Sequence, residues 1–304
     1  MSGKLKEVRE RIKSVQSTQQ ITKAMKMVSA SKLRRAQQAI TEMRPYANRL
    51  DKMMKNIVSN LEGDVNSPYV KTRDPKKIAI VVITSNRGLC GAFNTNIIKE
   101  AILKVEGMYS EQRATKSVTL IFVGKKGYDV LKKRFSDCDI VSDYVDLFAD
   151  LSFENVSRVS QLLMDKFMSG DFDKVEVCYG QFRNAALQEP KAVLYLPVSG
   201  VIEKKEKLDK GAVISKSKAD YIFEPDKVTL LDELIPSILH TSFQKFVLDN
   251  HASEHGARMT AMDNATTNAE ELMKELKINY NKARQEAITK ELSEIVGGAA
   301  ALNG

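Results

Sequence analysis

The chain has 304 residues, 43% of them hydrophobic and 28% charged, and its formal net charge is +8. This length allows a hydrophobic core and two domains. The sequence contains no run of eighteen apolar residues, so we expect no membrane-spanning helix. Cys90, Cys138 and Cys178 are odd in number and widely spaced, which predicts neither a disulfide framework nor a CxxC site and favours a reducing compartment.

The N-terminal segment carries apolar residues at intervals of three and four, the spacing that keeps one stripe of a helix facing a partner helix. The stripe lapses between Gln19 and Ser29, where its positions are polar, and then resumes. We predict one long amphipathic helix that ends near Gly63, with a kink or short break at Pro45. Its stripe consists of Leu5, Val8, Ile12, Val15, Leu33, Ala36, Ile40, Met43, Ala47, Leu50, Met54, Ile57 and Leu61.

A second stripe of the same kind occupies the C-terminal segment. Two helices of about 60 residues would each span about 90 Å, and we predict that they form an antiparallel coiled coil. In that arrangement Met262, Met273 and Leu276 are expected to pack against Ile21, Val15 and Ile12 or their neighbours. The second stripe consists of Leu248, Ala252, His255, Met259, Met262, Thr266, Ala269, Met273, Leu276, Tyr280, Ala283 and Ala287.

The two terminal segments carry opposite charge. Residues 1–60 contain fourteen basic and four acidic residues, whereas the segment from Leu231 onward contains seven basic and eleven acidic residues. Opposite charge favours the pairing of the two helices with each other. The basic face of the first helix is either a solvated surface or a contact for an acidic partner, and the sequence leaves both readings open.

Between the terminal segments the apolar pattern changes to continuous runs of strand length. Residues 77–84 and 118–123 read as parallel strands buried on both faces, and helical patterns follow each of them. Residues 153–167 read as a further helix. Residues 175–179 and 192–195 are predicted to form an antiparallel pair joined by a longer connection. The fold class is therefore α/β with long helices, in which a Rossmann-like domain is inserted into the coiled coil.

The predicted domains follow from this order of elements. We expect a discontinuous coiled-coil domain from residues 1–63 and 228–304. An α/β domain is expected over residues 75–202. Residues 203–227 contain a lysine-rich stretch and are predicted to be a basic loop and connection.

The turn after the first strand is the place where a nucleotide-binding fold carries its phosphate loop. Residues 85–94 read SNRGLCGAFN, which contains only a G-x-x-G pattern, and the chain has no P-loop motif. We therefore interpret this segment as a tight turn from strand to helix, in which glycine permits close backbone approach, and expect no cofactor.

A second motif, His251-Ala252-Ser253-Glu254-His255, matches the H-x-x-E-H pattern of some zinc peptidases. His255 occupies a position of the apolar stripe, however, and no third ligand is evident. The sequence therefore predicts no catalytic metal site.

Long motifs at both chain ends resemble the gamma subunit of F-type ATP synthases, and the resemblance extends over the whole chain. The polar lapse in the first stripe lies inside one of these motifs. The matching segments are 20–32 (QITKAMKMVSASK), 87–91 (RGLCG) followed by Asn94, 254–262 (EHGARMTAM), 280–289 (YNKARQEAIT) and 291–299 (ELSEIVGGA).

The resemblance implies a function that the periodicity alone does not supply. The family's gamma chain is a non-catalytic central stalk whose tip turns inside a ring of three alpha and three beta subunits. Its α/β domain contacts the epsilon subunit and the ring of c subunits. Proton flow turns this rotor and drives ATP synthesis at the beta subunits. The chain is then expected at the cytoplasmic face of the bacterial inner membrane, as a peripheral subunit.

The same resemblance assigns candidate contacts with the beta subunit. On the first helix these are expected to face an acidic loop of beta, and on the last helix to meet a beta loop near the tip. The candidates are Lys23, Met25, Lys26, Lys32, Arg34, Arg35, Arg284, Gln285, Thr289 and Glu291. The regulatory cysteine pair of plastid members is absent from this sequence.

The alternative class is a basic coiled-coil protein that binds nucleic acid, because residues 1–60 have the charge of such a protein. Against it, Tyr46 is the only aromatic residue of that segment, and the α/β region carries no base-reading motif. Partners are therefore expected to be proteins and not nucleic acid.

Overall fold

A computed structural model describes residues 3–59, 68–70, 73–198 and 227–302. The helices are α1 (Gly3–Ser59), α2 (Phe93–Leu103), α3 (Ser110–Ala114), α4 (Lys125–Arg134), α5 (Phe153–Met168) and α6 (Lys227–Leu302), with a π-helical turn at Lys104–Met108 and a 3-10 turn at Leu147–Ala149. The strands are β1 (Ile78–Ile83), β2 (Val118–Val123), β3 (Asp139–Val141), β4 (Lys174–Phe182) and β5 (Gln188–Leu196). The predicted helix end near Gly63 and the predicted loop at 203–227 lie outside the described residues, apart from the first residue of α6.

The five strands form one mixed sheet in the order β3-β2-β1-β4-β5. Strands β3, β2, β1 and β4 pair in parallel, and β5 is antiparallel to β4. This confirms the predicted α/β class and the antiparallel pair. Two details were wrong: the connection between β4 and β5 is short, at residues 183–187, and the edge strand β3 was not predicted.

The core of the sheet lies on both faces of β1, all six residues of which are fully buried. Val81 belongs to a cluster that includes Leu163 of α5 and Phe243 of α6. Ile80, on the opposite face, belongs to a second cluster that includes Ile97 of α2. Burying one such side chain contributes about 1.5–3 kcal/mol. A strand covered on both faces therefore reads as the continuous apolar run seen in the sequence.

The described chain forms two compact units. The helix-pair unit comprises residues 1–30 and 258–304, and the α/β unit comprises residues 31–257. Helices α1 and α6 each contribute residues to both units. The domain boundaries expected from the sequence stay a prediction.

In the helix-pair unit, α1 and α6 run antiparallel, as predicted. Gln19 Nε2 donates a hydrogen bond to Glu270 Oε1 at 2.9 Å, and Thr266 Oγ1 donates one to Thr22 Oγ1 at 2.8 Å. Residues nearer the start of α1 thus contact residues nearer the end of α6. Leu276 is buried at this seam, with 5% of its surface exposed.

Between Gln19 and Ser29, where the apolar stripe lapses, polar residues of α1 occupy the seam with α6. Thr22 and Ser29 are buried, whereas Ile21 and Val28 are each 57% exposed. Ile21 itself therefore does not face the seam, which leaves its neighbours as the expected partners of Met262. The hydrogen bonds of Gln19 and Thr22 to α6 hold this side of α1 inward. In the α/β unit, α1 continues through Pro45, so of the kink and the short break predicted there, the short break is wrong.

Candidate functional site

The exposed side of α1 in the helix-pair unit combines positive charge with apolar surface. Lys23 is exposed, Met25 is half-buried, and Met27 is 62% exposed. Exposed apolar side chains at helical spacing are typical of a protein-binding surface. The lapse of the apolar stripe between Gln19 and Ser29 is visible in the sequence, but the exposure of Ile21 and Val28 on this side of α1 is not.

Lys26 differs from Lys23 because it already has an ionic partner. Its ammonium group forms an ion pair with Asp263 of α6, and the two side chains are 41% and 54% exposed. A pair this exposed contributes at most about 1 kcal/mol to stability. Lys23 is therefore the better candidate for a partner contact, and Lys26 has a structural role as well.

In the α/β unit, Lys32, Arg34 and Arg35 are exposed on α1. Arg35 lines an open groove of about 440 Å³ whose wall also includes Phe153 and Leu248. The groove combines an apolar wall with one cation, Arg35, and one carboxylate, Glu42, a composition suited to a partner or a small molecule.

The last turns of α6 extend past the described start of α1. Gln19 lies opposite Glu270, so Gly3, sixteen residues earlier, is level with about residue 286. Helix α6 continues to Leu302, a further sixteen residues and about 24 Å. We call residues 286–302 the tip.

The tip carries exposed apolar residues on a helix that no described part of α1 accompanies. They are Ile288 (50% exposed), Leu292 (57%), Ile295 (67%) and Val296 (67%). The four contact candidates at or beside the tip are all exposed, namely Arg284, Gln285, Thr289 and Glu291. A helix of this kind requires a surrounding partner to cover it.

The turn after β1 is closed by its own hydrogen bonds. Asn94 Oδ1 accepts a hydrogen bond from Ser85 N at 3.0 Å, and Thr84 Oγ1 accepts one from Gly127 N at 2.8 Å. Asn86 Oδ1 likewise accepts from Lys125 N at 3.1 Å. Lys125 N and Gly127 N, at the start of α4, are therefore engaged by side chains from the end of β1 and the turn after it. At the start of α2, which this turn opens, Phe93 N donates to Cys90 O at 3.3 Å.

The backbone conformation of this region favours glycine at Gly91 and Gly124, and does not require it at Gly88. A Cβ on Gly88 would meet only Lys126 Cε, at 3.8 Å, so close approach is not required there. Gly91 has a φ of 59°. Gly124 has a φ of 98°, and a Cβ on it would lie 2.0 Å from Thr84 O. Leu89 is exposed and also has a positive φ, 63°, which the sequence pattern did not indicate.

The two histidines of the H-x-x-E-H motif lie together in the α/β unit. Their Nε2 atoms are 3.1 Å apart, and their rings are nearly perpendicular, at 82°. The ring of His251 stacks on Phe148 with centroids 5.9 Å apart. Among the residues with described side chains, no group of three or more histidine, cysteine or acidic residues could hold a metal ion. A peptidase-like zinc site at this motif would therefore lack a third protein ligand in that part of the chain.

The sequence matches the family described as ATP synthase over residues 4–302. It is 50% identical over 300 residues to the ATP synthase gamma chain of Flavobacterium psychrophilum, covering 99% of both chains. Identity to the ATP synthase gamma chain of Cytophaga hutchinsonii is 48%, covering 98% of this chain and 99% of the relative. The chain belongs to the ATP synthase gamma chain family.

Solved structures agree with this assignment. A chain of the Euglena gracilis mitochondrial ATP synthase, in the assembly of OSCP, F1 and c-ring, is similar with a TM-score of 0.65 and 25% identity, covering 99% of this chain and 95% of that one. A chain of the central stalk and c-ring of the Tetrahymena thermophila mitochondrial ATP synthase is similar with a TM-score of 0.55 and 25% identity, covering 81% and 99%. None of the described helices is long and apolar enough to cross a membrane.

Proposed function

We propose that this chain is the central-stalk rotor of an F-type ATP synthase and couples proton-driven rotation to ATP synthesis at the beta subunits. The observation that carries the proposal is the antiparallel helix pair, from which α6 extends about sixteen residues as an exposed tip. A rotor needs a stiff element that reaches into its ring, and a paired helix with a protruding end supplies one.

We propose that the basic side of α1 and the tip contact beta. Lys23 and the exposed residues Ile21 and Met27 offer charge and apolar surface on the helix-pair unit. Gln285, beside the tip, and Thr289, within it, line one open groove. The complete set of proposed contacts is Lys23, Met25, Lys26, Lys32, Arg34, Arg35, Arg284, Gln285, Thr289 and Glu291.

The remaining parts of the proposal concern the base of the rotor. We assign to residues 75–202 the contacts with the epsilon subunit and the c-ring, and to residues 1–63 and 228–304 the coiled-coil domain. The chain is peripheral, on the cytoplasmic face of the bacterial inner membrane, and performs no catalysis itself. Family membership removes the reason for the nucleic-acid alternative, so we do not propose it.

Reassembly tests this function. Alpha and beta subunits of a relative are combined with this chain, epsilon and stripped membrane vesicles, and ATP-driven proton pumping is measured. We expect pumping with the full chain and its loss with a chain that ends at residue 285. The isolated chain should release no phosphate from ATP. Hydrolysis by the purified chain, or equal pumping by the truncated chain, would contradict the proposal.

A further inference from the structure

His251 and His255 are two of only three histidines in the chain, and the rotor function assigns them no task. They lie one helical turn apart on α6, so both imidazoles project from the same side of the helix. Their Nε2 atoms face each other at 3.1 Å. In the hydrogen bond one Nε2 carries the hydrogen; when both imidazoles carry it on Nδ1 instead, both Nε2 atoms present a lone pair and form a chelating pair.

The separation of the two nitrogens suits a shared metal ion. Zinc binds imidazole nitrogen at about 2.0–2.1 Å. Two such bonds that end on atoms 3.1 Å apart enclose an angle of about 98°. This lies between the right angle of square-planar and octahedral sites and the tetrahedral angle of zinc sites. The separation of the nitrogens therefore fits a shared metal, and the two rings need only turn from each other toward it.

The surroundings hold one imidazole in place and give water access to it. Phe148 stacks against His251 at an interplanar angle of 22°, which limits rotation of that ring. His251 also lines the open groove of about 440 Å³. Gln244, on the same side of α6, lines this groove too and is only 7% exposed.

Gln244 places a buried amide beside the groove. Its Nε2 donates a hydrogen bond to Leu151 O at 3.2 Å, which fixes the orientation of the amide. Its Oε1 is buried away from the open groove and has no hydrogen-bond partner among the residues that the structure describes. A buried acceptor left in this state is costly, so a shift that admitted water or a ligand to it would be favourable. Water in the open groove could complete the coordination of a metal on His251.

We propose that His251 and His255 chelate a divalent transition-metal ion, with water at its remaining positions. The residues with described side chains hold no group of three or more candidate ligands, so the protein supplies this pair and the metal stays exchangeable. Affinity follows the order expected for nitrogen ligands, with Cu²⁺ above Ni²⁺ and Zn²⁺. Binding ties one turn of α6 together and stabilises the folded chain in proportion to metal concentration.

Calorimetric titration of the metal-free full chain with Zn²⁺ tests the proposal. We expect one saturable site, reversed by EDTA. His251→Gln and His255→Gln should each weaken it by about tenfold or more. The matched control is His240→Gln, since His240 bonds Ser160 and packs against Phe153 of the groove wall but is not among the residues that line the groove. No saturable binding, or equal affinity in wild type and His251→Gln, would overturn the proposal.

Copper spectroscopy gives a second readout that does not depend on the folding of a variant. Electron paramagnetic resonance of wild type with one equivalent of Cu²⁺ should show two nitrogen ligands, and His240→Gln should give the same spectrum. Thiolate ligation would assign the metal to a cysteine and overturn the proposal. Circular dichroism in EDTA checks that each variant is folded.

Discussion

Thr22 of α1 and Thr266 of α6 join their hydroxyl groups across the helix pair, with oxygen atoms 2.8 Å apart. Thr22 in turn donates to Gln19 O at 3.0 Å, and the single hydroxyl hydrogen of Thr266 is shared between Thr22 Oγ1 and Met262 O, which lies 2.7 Å away. Thr22 is only 8% exposed. A polar pair at an otherwise apolar seam fixes the register of two helices.

Replacing one member of this pair should destabilise the helix pair. Thr266→Val leaves the Thr22 hydroxyl without its partner and should lower the free energy of unfolding by about 1–2 kcal/mol. Thr266→Ser keeps the hydroxyl and is the matched control. The double variant Thr22→Val/Thr266→Val should recover much of the loss, because both polar groups are then gone. Urea denaturation measures all three, and equal stability of the Val and Ser variants would show that the bond contributes nothing.

Charge reversal should separate Lys23 from Lys26. Lys26→Glu places a carboxylate against Asp263 and should lower stability by up to about 1 kcal/mol, with recovery in Lys26→Glu/Asp263→Lys. Lys23→Glu should leave the melting temperature unchanged but reduce ATP-driven proton pumping by the reassembled complex. Full pumping by Lys23→Glu would remove this residue from the proposed contact with beta.

Truncation within the seam should cost more than truncation of the tip. Leu276 is 5% exposed, so Leu276→Ala should lower the free energy of unfolding by about 2–5 kcal/mol. Deleting residues 299–304 should cost far less, because residues 297–299 are exposed and the Cβ positions of Gly297 and Gly298 are in open space. Chemical denaturation compares the two variants. A larger loss on deletion would mean that the end of α6 packs on the chain itself.

Asp249 should make stability depend on pH. Burial raises its pKa to about 6, against partial opposition from Lys245 and Arg44. The folded state therefore binds the proton more tightly than the unfolded state, so stability falls as the pH rises from about 4 to 6 and stays lower above pH 6. Asp249→Asn should raise stability at pH 8 by up to about 3 kcal/mol. The gain should disappear as the pH falls to 4, where the aspartate is protonated when folded. A gain independent of pH in thermal melts would rule out this cause.

The periodic parts of the fold could be predicted from the sequence because burial of one or both faces of an element requires a regular spacing of apolar residues. Strands β1 and β2 appear as continuous apolar runs, and the long helices as repeated stripes. Strand β3 has only three residues at the sheet edge, too few for a pattern. Strand β5 begins at Gln188, two residues before Pro190. Because proline normally argues against a strand, the sequence did not indicate this start, although an edge strand such as β5 tolerates proline.

The candidate site was only partly readable, for a different physical reason. The exposure of Arg284 and Thr289 follows from the helical stripe, so the sequence could place them on the surface. The bond between Thr22 and Thr266 joins residues 244 positions apart and leaves no periodic signal. The ion pair of Lys26 with Asp263 is hidden for the same reason. Contacts with partner chains leave no trace in the periodicity of one chain, so those residues came from the family motifs alone.

Rotation of single molecules tests the central claim most directly. Lys133 is exposed on α4, whereas Cys90, Cys138 and Cys178 are buried, so Lys133→Cys accepts a visible probe selectively. With the alpha and beta subunits fixed to a surface, addition of ATP should turn the probe continuously in one direction, in three steps per turn. A probe that stays still while the assembled complex hydrolyses ATP would contradict the assignment of this chain as the rotor.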